Sequence, residues 1–143
     1  MAPLISTIDI DRPPDVVFAY ATDPTRFAEW QRDVVRVQVL DDEEFVTVRR
    51  FVGAERTTLQ RITTSDPPRH WAAEGVEGAV RPHATVTVSP RDDGAHSRVV
   101  FTLDFESHGM GAALLPMVRR AAEKGAPVSH RHLKEILERG SAE

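Results

Sequence analysis

The stretch Ile8-Asp9-Ile10-Asp11-Arg12-Pro13-Pro14-Asp15-Val16-Val17-Phe18, followed by Asp23-Pro24 and Trp30, decides how the chain is read. From Leu4 to Asp11 the residues mostly alternate, with Leu4, Ser6, Ile8 and Ile10 on one face, which is the period of a strand. Pro13-Pro14 ends it, because proline has no N–H for the ladder. Pro14 also suits the first position of a helix, where that N–H would be unpaired anyway. Val17, Tyr20 and Ala21 share one face of this helix, with Phe18 beside them. Asp23-Pro24 breaks it, so Thr25 to Trp30 can form only a short second helix.

From Val34 to Ser107 the turn signals recur at about ten to fifteen residues. They are Asp41–Glu44, Gly53-Ala54, Asp66-Pro67-Pro68, Gly75–Gly78 and Arg91–Gly94. Six strands are predicted between them. Val35, Val37 and Val39 share a face, as do Val46, Val48 and Val52. The same holds for Val80, Ala84, Val86 and Val88, and for Val99, Phe101, Leu103 and Phe105. Period-two patterning with hairpin-length turns predicts an antiparallel meander with one buried face. Pro82 must sit at a strand start or a bulge.

The tail, Ala112 to Arg139, has helical period and would be about 42 Å long. Pro116 falls near its first turn. Pro127 is interior and predicts a kink near Glu123 to Ala126. Leu114, Val118, Ala121, Gly125 and Val128 form one stripe, which Leu133, Ile136 and Leu137 continue, and Gly140 is a suitable stop.

A chain of 143 residues is read as one domain, 1–143. Its 18 basic and 22 acidic residues are interspersed, net −4, with no basic cluster able to neutralise a phosphate backbone, so no nucleic-acid partner is expected. The absence of cysteine excludes disulfides and thiolate chemistry. Neither a signal-peptide pattern nor an apolar run of about 18 residues is visible, so a cytoplasmic protein without a membrane span is expected.

One strand, two short helices, six strands and a long helix predict an α+β fold. A curved seven-stranded antiparallel sheet (β-α-α-β6-α) would wrap around the long C-terminal helix. Such a sheet twists and curls, and one helix about 10 Å across cannot fill its concavity. The helix centre carries the small residues Ala121, Ala122, Gly125 and Ala126, so a cavity is expected unless Trp30, Trp71 and the phenylalanines close it.

The chain from Ile5 to Glu138 resembles the polyketide cyclase/dehydrase-like branch of the helix-grip superfamily, the START-like and birch-pollen-allergen-like (SRPBCC) proteins. The resemblance rests on the Ile-x-x-x-x-Pro-x-x-Val-Phe run ending at Phe18, on Asp23 and on Glu29-Trp30. Ser97-Arg98-Val99-Val100-Phe101-Thr102-Leu103 and Leu133–Glu138 complete it. These are packing and turn positions. The resemblance therefore implies an apolar ligand held between sheet and helix, and leaves carriers, cyclases, aromatases and chaperone-like modules all open.

Candidate chemistry is sparse. Arg50 shares a strand face with Val46 and Val48. Pointing inward it could hold a ligand carboxylate or enolate, and the resemblance implies an inward arginine for substrate enolates in aromatase-type relatives, though no motif ties Arg50 to that position; at the strand end it would reach solvent. Of His70 and Trp71 only one can face inward, and Trp71 gains more by burial. His70 as a general base competes with an exposed histidine. His83 is expected outward. His130-Arg131-His132 cannot clasp a metal, because helical residues two apart point to different sides. No metal or cofactor is expected, and the Asp41–Glu44 and Asp92-Asp93 acids read as turns. Gln60 and Thr58 share a face with Ile62 opposite Thr57, Leu59 and Arg61, and either face could be the inner one.

The expected function is binding of a small apolar or aromatic molecule by a monomer or homodimer. The cavity walls would come from Trp30, Val48, Arg50, Gln60, Trp71, Phe101, Leu103, Met117 and Ala121. A cyclase or dehydratase using Arg50 or His70 is the alternative; a protein-interaction or stress-response module, with a cramped interior, is the other.

Overall fold

Two residues that lie far apart in sequence pair at one edge of the sheet: Ser6 of the first strand faces Phe101 of the last. The computed structural model describes residues 2–51 and 53–140, the Phe51 side chain excepted. Val52, expected on an inner strand face, lies outside the described residues. The elements are β1 (Leu4–Ile10), α1 (Pro14–Ala21), a 3-10 turn (Pro24–Arg26), α2 (Phe27–Trp30), β2 (Val34–Val39), β3 (Glu44–Phe51), β4 (Ala54–Asp66), β5 (His70–Gly75), β6 (Val80–Arg91), β7 (His96–Ser107) and α3 (Gly111–Gly140). The strands form one antiparallel sheet in the order β1-β7-β6-β5-β4-β3-β2. A connection between the two edges must cross the sheet's face, and α1 and α2 make it. α1 packs on β6 and β7, and α2 on β2 and α3.

Local chemistry explains the boundaries. Pro14 opens α1, and Val17, Phe18 and Ala21 are its buried face, while Tyr20 is half-buried and donates its hydroxyl to Glu29 Oε1 at 2.7 Å. Asp23 caps the 3-10 turn, its Oδ1 accepting from the Thr25 N–H at 3.0 Å. α3 continues through both Pro116 and Pro127.

Two glycines are dictated by close approach. A Cβ at Gly75 would stand 2.7 Å from Pro82 Cδ; the proline lies two residues into β6, and its ring occupies the space a side chain on β5 would need. A Cβ at Gly111 would stand 2.6 Å from the Ala79 carbonyl carbon and overlap its oxygen, so the first turn of α3 docks backbone to backbone on the β5–β6 loop. The His108 N–H, donated to the same oxygen at 2.7 Å, fixes that docking.

Two strand phases differ from expectation. In β3 the inner face is Phe45, Thr47 and Arg49, not Val46, Val48 and Arg50. Phe45 is 1% exposed, against Phe27 and Trp71 at ring distances of 5.8 and 6.4 Å. Burying a phenyl ring gains more than burying a valine, and period-two geometry then turns the even-numbered residues to the other face. In β2, an edge strand, Val35 and Val39 are exposed and only Val37 of the three packs on the core; a bulge between Val34 and Arg36 shifts the register there.

Candidate functional site

Burial changes along the inner face. On β6, Val86 and Val88 are buried, whereas Ala84, Pro82 and Val80 are half-buried; on β7, Val99 is buried, whereas Phe101, Leu103 and Phe105 are half-buried. α3 matches this gradient. Ser129, His130, Leu133 and Leu137 are buried, while Leu114, Val118, Ala121 and Ala122 are half-buried. The uncovered apolar surface lines a cavity of about 570 Å³. That size lies within the range of small-molecule sites, roughly 300–1,000 Å³.

The other end of the interior is filled by rings. Phe27 meets Trp30, Phe45 and Trp71 edge-on at 6.2, 5.8 and 6.0 Å. Edge-to-face packing of this kind adds attraction beyond area burial. Aromatic packing and a cavity therefore coexist in one core, with Phe27, Trp30 and Trp71 forming part of the cavity wall.

Polar side chains interrupt the apolar wall, among them Gln31, Asp33, Arg49, Arg56, Gln60 and His130. Thr47, fully buried, donates its hydroxyl to Gln60 Oε1 at 2.8 Å. Arg49 donates from Nη2 to Gln31 Oε1 at 2.7 Å, and among the described residues no carboxylate lies within ion-pair distance of it. Burial draws the Arg49 guanidinium below the ordinary arginine range, and the Asp33 carboxylate partly opposes this. Asp33 itself accepts from Arg32 Nε at 3.1 Å. Arg56 stands directly across from Arg49 in the β3–β4 register and lines the same cavity.

On the α3 side, His130 is 8% exposed and stacks on Phe101, ring centroids 4.0 Å apart at 12°. Its Nδ1 shares a 3.0 Å hydrogen bond with Ser6 Oγ. Burial pushes its pKa down to about 4, so the imidazole is neutral at pH 7. Trp30 lies beside both rings and is itself buried.

Of the residues expected in the wall, Trp30, Gln60, Trp71, Phe101, Leu103 and Ala121 line the cavity. Val48 is buried away from it on the other face of β3, and Met117 is 45% exposed on the outer side of α3. Arg50 follows the outward phase of β3 and pairs with Glu55 at 2.7 Å in solvent. His70 is exposed, its Nδ1 3.4 Å from Thr87 Oγ1, because Trp71 takes the inward position on β5. On β4 the inner face is Arg56, Thr58, Gln60 and Ile62. Arg49 and His130 join the wall without having been expected there. His130 carries a sequence signal, since it precedes Leu133 and Leu137 by three and seven residues on one helical stripe. Among the described residues no group of side chains is arranged to hold a metal ion. No helix among them is long and apolar enough to cross a membrane.

A seven-stranded antiparallel sheet gripping one long helix over an apolar hollow defines a helix-grip domain. The chain belongs to the family of polyketide cyclases/dehydrases and lipid-transport proteins, which it matches over residues 1–138. No curated protein matches it. Among solved structures it is similar to the Zhui aromatase/cyclase from Streptomyces sp. R1128, with a TM-score of 0.83 at 17% identity over 96% of this chain and 94% of that one. It is also similar to TTHA0849 from Thermus thermophilus, with a TM-score of 0.81 at 20% identity over 98% and 99%. A START superfamily protein from Mycobacterium smegmatis gives 0.79 at 11% identity over 96% and 97%. At these identities the likeness is one of fold.

Proposed function

We propose that the protein binds a small, mainly apolar molecule in the cavity between the sheet and α3. The observation that carries this reading is the run of half-buried apolar side chains around about 570 Å³ of space, in an interior whose other end is close-packed. Apolar surface left facing a hollow is a standing driving force, at about 25 cal/mol per Å² covered. A thermal-shift screen of fatty acids, isoprenoids and aromatic polyketides tests it. Stabilisation by one class is the expected result; no shift with any class sinks the reading.

A cyclase or dehydratase is the second reading, favoured by the presence of Arg49 and His130 among the side chains lining the cavity. Holding a flexible chain in a reactive geometry would be the main contribution. The His130 pKa of about 4 counts against it as a proton acceptor near neutral pH, where catalytic bases work best. This weighs the balance toward binding. An interaction module with a cramped interior does not fit a hollow of this size.

A further inference from the structure

We propose that the ligand of this cavity is an amphipathic monocarboxylic acid, its carboxylate held by Arg49 at the β3–β4 wall and its apolar body lying over Phe101 and Leu103. This rests on the cavity being a ligand site and adds the charge and polarity of what enters it.

Arg49 carries five N–H donors and remains protonated in proteins. One of the five goes to Gln31 Oε1, a neutral acceptor. Among the described residues none supplies Arg49 with an ion-pair partner, and the nearby acid, Asp33, is already engaged by Arg32. Across the ladder stands Arg56, which sets a second positive charge beside the first on the adjacent strand and adds to the attraction an arriving anion would feel. In the empty cavity, water can solvate Arg49. A wholly apolar guest would displace that water and leave a desolvated cation, the costliest outcome for any buried group. A guest bringing its own anion removes the penalty, and the planar guanidinium matches a carboxylate through two parallel hydrogen bonds.

The rest of the lining limits the guest to one negative charge. Asp33, Glu77 and Glu123 also border the cavity, so a dianion such as a phosphate monoester would meet three carboxylates as well as guanidinium groups. The apolar part of the wall includes Phe101, Leu103, Phe105 and Leu114, which suit a hydrocarbon or aromatic body.

The test compares dodecanoate with dodecan-1-ol, and 2-naphthoate with 2-naphthalenemethanol, by titration calorimetry at pH 7.5. The acids are expected to bind at least tenfold more tightly than the matched alcohols. Arg49→Gln should abolish that preference, weakening the acids while the alcohols bind as tightly as before or more tightly. Arg49→Lys should keep part of the preference, and Arg50→Ala, on the outer face, all of it. Equal affinity of acid and alcohol for the unaltered protein overturns the carboxylate assignment while the cavity reading stands. Absence of binding by all four overturns both. If Arg49→Gln does not fold, the acid–alcohol comparison on the unaltered protein and on Arg49→Lys still decides.

Discussion

His130 of α3 and Phe101 of β7 lie ring on ring, and the hydrogen bond between His130 Nδ1 and Ser6 Oγ ties the pair to β1. This contact locks the C-terminal half of the helix to the sheet just beside the cavity. It also places a titratable group in a site that favours its neutral form.

Stability should therefore fall with acid in a window set by His130. Its folded pKa, about 4, lies below the ordinary 6.5. Between these values the unfolded chain binds the extra proton, so the contribution is complete above pH 6.5 and is lost as pH falls toward 4, by roughly 3 kcal/mol in all. The groups stacked on and bonded to the ring, Phe101 and Ser6, carry no charge, which leaves burial as the cause. Urea unfolding of the unaltered protein and of His130→Gln at pH 7, 5.5 and 4.5 checks this. The two should converge as pH falls; parallel curves would remove His130 as the source.

Thr47→Val should cost about 1–3 kcal/mol, because it strips the donor from a buried acceptor on Gln60. Thr47→Val combined with Gln60→Leu should cost less than the sum of the two single changes, since no orphaned amide remains. A double-mutant cycle by denaturant titration measures the difference, and strict additivity would contradict it.

Gly111→Ala should destabilise by about 1–3 kcal/mol or more, because the new methyl meets the Ala79 backbone and no flexible side chain can yield. Gly140→Ala, whose nearest neighbour is the movable end of Arg12, serves as the comparison. Thermal unfolding of both variants decides the point: equal midpoints would mean that the docking of α3 on the β5–β6 loop is looser than described.

Ala121→Leu should fill part of the hollow from the helix side. Ligand binding is expected to weaken at least tenfold while stability holds or rises by about 1 kcal/mol, the reverse of a cavity-creating change. A loss of stability with binding intact would show that Ala121 already packs against the sheet.

The order of elements is readable because its signals are local. Pro13-Pro14, Asp23-Pro24 and the Gly- and Asp-rich turns act within a few residues of themselves, and β1 alternates as written. The phase of β3 is not readable. Both of its faces carry apolar residues, and what chooses between them is Phe45 meeting Phe27 and Trp71, partners on other elements. That single choice moves the inward arginine from Arg50 to Arg49. On β5 the same argument works, because Trp71 outweighs His70 without help from outside the strand. His130 is easily overlooked because His132 beside it invites a metal reading, which hides its place on the stripe leading to Leu133 and Leu137.

The wedge of rings around Phe27 gives this architecture a division of labour. Its rings hold one another edge-on while Phe27, Trp30 and Trp71 also border the cavity, so a guest would rest against side chains already fixed by their own packing. A wall built this way should keep its shape with or without a guest, and its melting temperature without one should owe little to ligand contacts.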